Sequence, residues 1–246
     1  MIVITFTAKG IPLKLGILQC DSVLEEYQNK FGNYPQMFID LFKQIDPNID
    51  LQVYNVEFGE YPGSPEECDA YITTGSKASV YEELPWLAEF KTFIRRLHDK
   101  KIKLAGVCFG HQLIADTFGG KTEKSDKGWG VGVSINKIIT QQPWMHPPLE
   151  QLNIIVSHQD QVIRLPENAE LLASSEFCPN YMFQLDDTIV SLQGHPEFSK
   201  EYSETLMTHR QVKIGETAYK RAIESLKLDT HEIIYARWLL NFFTNK

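Results

Sequence analysis

The sequence predicts an α/β protein with a mostly parallel central sheet that is flanked by helices and extended by antiparallel strands. Short apolar runs alternate with longer helical patterns in the first half of the chain, as in sheets whose parallel strands are joined by helices. From residue 130 onward, strand-like runs follow one another through short connections, which favours antiparallel pairing. A length of 246 residues and an apolar content of 43% predict a single domain over 1–246 with a sizeable core.

The first half of the chain is predicted to hold four strands and two helices. The strands are short apolar runs at 13–18, 51–56, 70–73 and 103–105. One helix is indicated by the helical spacing of Met37, Phe38, Leu41, Phe42 and Ile45, which ends before Pro47, and another covers 87–99. We expect the fourth strand to be central, so that the segment after it opens into the crevice where open α/β sheets bind ligands.

The second half is predicted to contribute five strands and a helical C-terminal part. The strands lie at 130–138, 153–157, 169–174, 180–185 and 188–192, with a hairpin turn at Asp186-Asp187. C-terminal helices are expected at about 200–243, as one stretch over 200–226 and a second over 231–243.

Several polar or aromatic residues are interpreted as structural rather than functional. The mixed-charge run 121–127 predicts a solvated loop. Asp21, Glu25, Glu26 and Tyr27 either line the crevice after the first strand or cover a helix face, and we favour the helix face. We expect Trp129 to belong to the core.

The segment Gly106-Val107-Cys108-Phe109-Gly110 has the pattern of a nucleophile elbow. It stands between the strand at 103–105 and a helix-like run at 111–118. In such a sharp turn the central side chain is presented to the ligand, and glycines flank it because larger side chains would collide. Free backbone N–H groups at the helix N-terminus favour the thiolate of Cys108. The pattern predicts a cysteine nucleophile, although alone it also fits a buried cysteine on a Gly-rich turn.

His195 and Glu197 are candidates for the base and for the group that orients the base. A cysteine nucleophile needs both, and they usually meet it in space rather than in sequence. Residues two apart in an extended chain point to the same side, and Pro196 disfavours a helix at His195. We therefore expect the Glu197 carboxylate to reach the His195 imidazole. Read alone, the pair also fits a solvated turn.

Together these motifs resemble those of the class I glutamine amidotransferase family, whose members carry a Cys-His-Glu triad; the glutaminase domain of GMP synthetase is similar. The segments 69–76, 127–132 and 157–162 add to the resemblance, which spans roughly 69–198. It implies a flavodoxin-like fold with Cys108, His195 and Glu197 as the catalytic residues.

The resemblance also implies an oxyanion hole and a substrate site. The backbone N–H groups of Phe109 and Gly75 would hold the oxyanion. Gln112 and the backbone of Ser157 and His158 would contact the α-amino acid end of the substrate. Two structural alternatives stay open: Gln112 as a partner of its local turn, and Ser157 as an ordinary strand end.

The expected reaction is hydrolysis of the γ-amide of glutamine through a γ-glutamyl thioester on Cys108, with release of ammonia and glutamate. Because the sequence has no Gly-rich phosphate loop, we expect a separate synthetase subunit or enzyme to accept the ammonia. Two alternatives stay open. A γ-glutamyl peptidase acting on γ-glutamyl peptides or conjugates would use the same thioester, and a non-catalytic regulatory or binding module would retain only the pocket.

Composition excludes other classes of function. With 24 basic and 32 acidic residues the net charge is -8, so we expect no nucleic-acid partner. No apolar run approaches ~20 residues, and no basic region precedes the apolar residues within Met1–Lys9, so a cytoplasmic protein without membrane contact is expected. The four cysteines (Cys20, Cys68, Cys108 and Cys178) lack the spacing of a metal or disulfide framework. We expect thiols, no metal and no cofactor.

Overall fold

The chain folds around a nine-stranded sheet in which a parallel half is continued by an antiparallel half. The structure is a computed structural model that describes residues 12–245, so the expectation for Met1–Lys9 lies outside the described residues. In chain order the strands are β1 (Lys14–Gln19), β2 (Asp50–Asn55), β3 (Ala70–Thr73), β4 (Lys103–Val107), β5 (Lys121–Lys124), β6 (Gly130–Ile138), β7 (Gln151–His158), β8 (Asp160–Arg164), β9 (Ala169–Ser174), β10 (Met182–Leu185) and β11 (Ile189–Leu192).

Strand order explains how distant segments meet. The sheet runs β2-β1-β3-β4-β11-β10-β9-β6-β7, and β5 and β8 form a separate antiparallel pair. The first five strands in this order are parallel, whereas the pairings from β11 to β7 are antiparallel. The predicted parallel sheet with antiparallel additions is confirmed. Asp186, with φ of 50°, lies in the predicted hairpin turn between β10 and β11.

Eight helices surround this sheet in the described part of the chain: α1 (Glu25–Phe31), α2 (Tyr34–Lys43), α3 (Pro85–Asp99), α4 (Phe109–Thr117), α5 (Lys200–His209), α6 (Gln211–Ile214), α7 (Glu216–Ser225) and α8 (Glu232–Thr244). Residues at the N-terminus of three of these helices explain where the helices begin. The Asn33 side chain accepts the N–H of Tyr34 at the start of α2, and the Ser199 hydroxyl accepts the N–H of Tyr202 at the start of α5. Pro85 occupies the first position of α3, where its missing N–H is not needed.

Two apolar layers cover the two faces of the sheet. On one face α2 and α8 pack residues such as Phe38 and Trp238 against Ile17 of β1. On the other face α3 and α4 pack Phe90 and other apolar residues against Leu18, the next residue of β1, because neighbouring strand residues point to opposite faces. Burying each such side chain contributes about 1.5–3 kcal/mol. These layers fix the edge of the sheet where β3, β4 and β11 end.

The helix α5 covers the antiparallel half and borders the same edge. Tyr202 and Leu206 of α5 pack with Phe198 against Val133 of β6 and Ile155 of β7. The region after residue 199 therefore forms one wall of the space above the carboxyl ends of β4 and β11.

Two sequence-based expectations are corrected by the structure. The run 121–127 is not only a loop, because 121–124 pairs with β8 as β5. The expected helix over 200–226 is broken into α5, α6 and α7. Arg210, with φ of -100° and ψ of 9°, separates α5 from α6, and Gly215, with φ of 85°, separates α6 from α7. The helix α1 carries Glu25 and Glu26, which were expected on a helix face. Its bounds were not predicted, because it buries none of its residues and leaves no apolar pattern in the sequence.

Candidate active site

Cys108 lies at the turn from β4 to α4 in a backbone conformation that residues other than glycine rarely adopt. Its φ is 50° and its ψ is -99°. Such conformations cost about 1–3 kcal/mol and persist where the surroundings fix them. The Cys108 N–H donates to the Leu192 carbonyl at 2.9 Å, and the Cys108 carbonyl accepts the N–H of Gln112 at 3.1 Å. The strained turn places Cys108 in the wall of a cavity.

Two glycines allow this turn because β4 and α4 approach closely. A Cβ on Gly106 would overlap Ile114 and lie 3.0 Å from the backbone of Gly110. A Cβ on Gly110 would overlap Thr73 of β3. The Thr73 hydroxyl also accepts the N–H of Val107 at 3.0 Å, which ties β3 to the elbow.

His195 reaches Cys108 because β11 lies directly beside β4 in parallel orientation. Leu192 is opposite Val107, so the chain after β11 leaves the sheet next to Cys108. The His195 N–H donates to the Ile155 carbonyl at 2.7 Å, which anchors this segment. The three residues predicted to form a triad, Cys108, His195 and Glu197, therefore meet at one edge of the sheet.

The His195 ring is held on three sides. Its Nδ1 lies 2.8 Å from Oε1 of Glu197, and both side chains are buried. Gly75 packs against Cε1 of the ring. Cys108 lines the same cavity as the ring, and because Glu197 occupies Nδ1, the nitrogen that remains for the sulfur is Nε2. Phe198 stacks on the ring with centroids 4.0 Å apart and planes inclined by 13°.

These neighbours favour a charged imidazolium. Burial alone would lower the pKa of His195, but the negative charge of a Cys108 thiolate, followed by that of Glu197, outweighs burial and raises the pKa to about 10. The arrangement can therefore hold an imidazolium beside a negatively charged sulfur.

Gly75 and Phe109 present backbone N–H groups around the cysteine. Gly75 follows β3 and lines the same cavity as Cys108, and Phe109 is the first residue of α4. Within the described residues neither N–H donates to a protein acceptor. Gly75 also packs on the base, since a Cβ there would lie 2.7 Å from Cε1 of His195. The two donors are free to bind an oxyanion.

Gln112 is oriented by two hydrogen bonds at the cavity wall. Its Nε2 donates to the Asp160 carbonyl at 2.9 Å and to Oε1 of Gln193 at 3.2 Å. Gln193 in turn donates to the Cys108 sulfur at 3.5 Å. Gln112 therefore does more than bond its local turn: its Oε1 can accept a hydrogen bond from a ligand.

Ser157 and His158, at the end of β7, also line the cavity. The Ser157 hydroxyl accepts a hydrogen bond from Arg210 at 3.2 Å. Nδ1 of His158 lies 3.1 Å from the Asp160 carbonyl, and burial lowers the pKa of His158 to about 4. His158 is therefore neutral and positions the backbone of this wall.

The cavity has a volume of about 370 Å³, and the sequence interpretation assigned one residue of its lining, and one residue that supports the lining, elsewhere. Trp129 was expected in the core, but it is half-buried and lines the cavity. Asp21 was expected on a helix face, but its buried carboxylate accepts the Lys77 N–H at 2.9 Å and the Lys77 Nζ at 2.8 Å. Asp21 thereby fixes the loop that follows Gly75. The sequence did contain a signal for this role of Asp21: an acidic residue that follows a predicted parallel strand lies at the carboxyl end of the sheet, where ligand sites form.

Comparison with known protein families agrees with this geometry. The family model described as glutamine amidotransferase class-I matches residues 41–214. This chain belongs to the class I glutamine amidotransferase family. The resemblance seen in the sequence is thereby confirmed.

Individual relatives carry different names. Gamma-glutamyl peptidase 3 of Arabidopsis thaliana is 33% identical over 195 residues, which cover 76% of this chain and 77% of the peptidase. One subunit of the glutamine-hydrolyzing GMP synthase of Methanosphaera stadtmanae is 37% identical over 97 residues, or 39% of this chain and 52% of that subunit. The crystal structure of a glutamine amidotransferase from Thermotoga maritima has a TM-score of 0.77 at 19% identity, covering 95% of this chain and 99% of that one. This last similarity shows the fold.

Further features concern residues 12–245. No group of three His, Cys, Asp or Glu side chains in this range could hold a metal ion. No helix in the same range is long and apolar enough to cross a membrane. The four cysteines are free thiols and are buried.

Proposed function

We propose that this protein hydrolyses γ-glutamyl amide bonds through a thioester on Cys108, and that its substrates are γ-glutamyl peptides or conjugates. One observation carries the chemistry: Cys108 and His195 line the same cavity, and Nδ1 of His195 is held 2.8 Å from the buried Glu197 carboxylate. A thiolate beside an oriented imidazolium is a nucleophile paired with a proton donor.

In the first half of the reaction the Cys108 thiolate attacks the γ-carbonyl carbon of the substrate. The resulting oxyanion accepts hydrogen bonds from the free N–H groups of Phe109 and Gly75, and each such donor typically contributes a factor of ~10²–10³ in rate. His195 then donates the Nε2 proton to the leaving nitrogen, the C–N bond breaks, and the amine departs. Cys108 is left as a γ-glutamyl thioester and His195 as a neutral imidazole.

In the second half water replaces the amine. Nε2 of His195 removes a proton from water while the oxygen attacks the thioester carbon, and the same two N–H groups stabilise the oxyanion. Collapse breaks the C–S bond and releases glutamate, whose γ-carboxyl group loses its proton to solvent. The thiolate and the imidazolium are restored. Throughout, Glu197 accepts the hydrogen bond of Nδ1–H, so that Nε2 is the nitrogen that gives up and takes up the proton.

The substrate class is inferred from the cavity and from a relative. Besides Cys108 and His195, the cavity lining includes Phe198, Leu206 and, at the end of α5, Arg210, so the cavity extends beyond the proposed catalytic side chains. The leaving nitrogen must lie next to His195, so this extension provides room for a leaving group larger than ammonia. The name of gamma-glutamyl peptidase 3, a relative over three quarters of the chain, supports the same choice.

A second candidate is hydrolysis of glutamine, with ammonia passed to a separate synthetase subunit. The similarity to one subunit of a glutamine-hydrolyzing GMP synthase supports it. The two candidates share every step above and differ in the leaving group.

The test compares γ-glutamylalanine with glutamine, each incubated with the purified protein while glutamate and the released amine are measured. We expect kcat/KM to be higher for the dipeptide. Cys108→Ala should abolish both activities, and Cys178→Ala, which removes a buried thiol outside the cavity lining, should retain them. Higher kcat/KM for glutamine would favour the second candidate, and undiminished turnover by Cys108→Ala would contradict the mechanism.

A further inference from the structure

The cavity wall beyond His195 carries two cationic side chains that the hydrolysis steps do not use. Arg210, at the C-terminal end of α5, and Lys213, in α6, both line the cavity. Asp160 is the carboxylate among the described lining residues, and Lys77 is already paired with Asp21. Although the chain has a net charge of -8, this wall is locally positive.

Arg210 is fixed in position but retains most of its hydrogen-bonding capacity. Its Nη1 donates to the Ser157 hydroxyl at 3.2 Å, and its guanidinium carbon lies 5.9 Å from the centre of the Trp129 ring. Within residues 12–245 no carboxylate forms a salt bridge with it. A guanidinium has five N–H donors, so a planar pair of donors is available to a ligand. The ligand group that matches such a pair is a carboxylate.

Arg210 contacts two parts of the cavity wall: it bonds Ser157, which is expected near the α-amino acid end of the substrate, and it ends the wall that begins at His195. His195 gives its proton to the leaving nitrogen, so the leaving group starts beside the His195 ring. Phe198 stacks on that ring, and Phe198 and Leu206 share one apolar cluster. The N–H of Arg210 donates to the Leu206 carbonyl at 3.1 Å, which places Arg210 at the end of the same wall.

We propose that Arg210, assisted by Lys213 at the rim, binds the carboxylate of the leaving amino acid or peptide and so selects γ-glutamyl peptides that end in a free carboxylate. This assignment rests on the proposed γ-glutamyl hydrolase function and adds a specificity residue to it. A substrate has a second carboxylate, on the α-carbon of its glutamyl part, and the experiment must separate the two.

The experiment uses two substrates that differ in one charge. γ-Glutamylalanine has a carboxylate on its leaving group, whereas γ-glutamylalaninamide does not, and both keep the α-carboxylate. Arg210→Gln should lower kcat/KM for γ-glutamylalanine by about 10- to 100-fold, chiefly through KM, because a hydrogen bond between charged groups is lost. For γ-glutamylalaninamide the change should stay within about threefold, since no such bond forms. Arg210→Lys should lose less activity than Arg210→Gln, because lysine keeps the positive charge but lacks the planar pair of donors.

Arg221→Gln is the matched control. This substitution removes the same charge, but Arg221 is exposed on α7 and does not line the cavity. It should leave kcat/KM for both substrates unchanged. Equal losses on both substrates in Arg210→Gln would overturn the assignment and place Arg210 on the α-carboxylate or in a structural role. No loss on either substrate would also overturn it. Failure of the unmodified protein to cleave γ-glutamylalanine would instead contradict the proposed function.

Discussion

Replacing Gly75 by alanine should displace the proposed base without removing any functional group. Gly75 keeps its backbone N–H in this variant, and Cys108, His195 and Glu197 are untouched. The added methyl carbon, however, would lie 2.7 Å from Cε1 of His195, about 0.7 Å short of the 3.4 Å where ordinary van der Waals contact begins. One of the two partners must therefore move.

The surroundings indicate that the imidazole moves. The loop after Gly75 is held by two hydrogen bonds from Lys77 to the buried Asp21 carboxylate, at 2.9 and 2.8 Å. The ring is pressed between Gly75 and the stacked Phe198. A shift of about 0.7 Å disturbs the contact of His195 with Cys108, and a misplacement near 1 Å typically lowers rate by about 10²-fold. Overpacking of this kind also lowers the free energy of unfolding by about 1–3 kcal/mol, which leaves the protein folded.

The assay is kcat/KM for γ-glutamylalanine, with circular dichroism and thermal unfolding to verify folding. Gly63→Ala serves as the control, because a Cβ there would lie 3.7 Å from Glu67 Oε2, an ordinary contact. We expect a loss of about 10²-fold in Gly75→Ala and less than threefold in Gly63→Ala. Folded Gly75→Ala with kcat/KM equal to the unmodified protein would refute the placement of His195 as the proton donor.

The remaining predictions concern charge and reactivity. Cys108→Ala removes the largest cause that raises the pKa of His195. ¹⁵N NMR should therefore give a lower pKa for the ring in this variant than the value of about 10 in the unmodified protein. Equal pKa values in the two proteins would contradict the ion pair. Because the pKa of His195 lies above the ordinary value of 6.5, its contribution to the free energy of unfolding is fully present below pH 6.5 and is lost as the pH rises towards 10. Chemical denaturation at a series of pH values measures this loss. Glu197→Gln should lower kcat by about 10²–10⁴-fold with little change in KM, because the imidazole loses its tautomer and its charge partner; a loss below tenfold would contradict that role. A chloroketone analogue of glutamine should label Cys108 before Cys178, since burial raises the pKa of Cys178 to about 12; mass spectrometry showing equal labelling would exclude selective activation.

The sequence was informative where local chemistry dictates structure. The strand at 70–73 has the predicted bounds, and so have 130–138 and 169–174. Apolar runs bounded by polar residues specify such strands with little dependence on the rest of the chain. The elbow glycines and the extended His195-Pro196-Glu197 run likewise carry their geometry locally, which is why residues 87 positions apart could be expected to meet.

What the sequence did not specify depends on tertiary contacts. The strand at 121–124 has a single buried residue, Thr122, among charged ones, so its apolar pattern is too weak to identify it. Asp21 is buried only because the loop around Lys77 folds over it. The broken tail helix brings Arg210 to the cavity, and no pattern in the tail marks that position.

The most direct test of the central claim is to trap the thioester. The unmodified protein is mixed with γ-glutamylalanine, quenched in acid within the first turnover, and digested for mass spectrometry. We predict one γ-glutamyl group on the peptide that contains Cys108, in an amount that decays as glutamate appears. Glutamate formation at full rate without any such adduct, or an adduct on another residue, would contradict it.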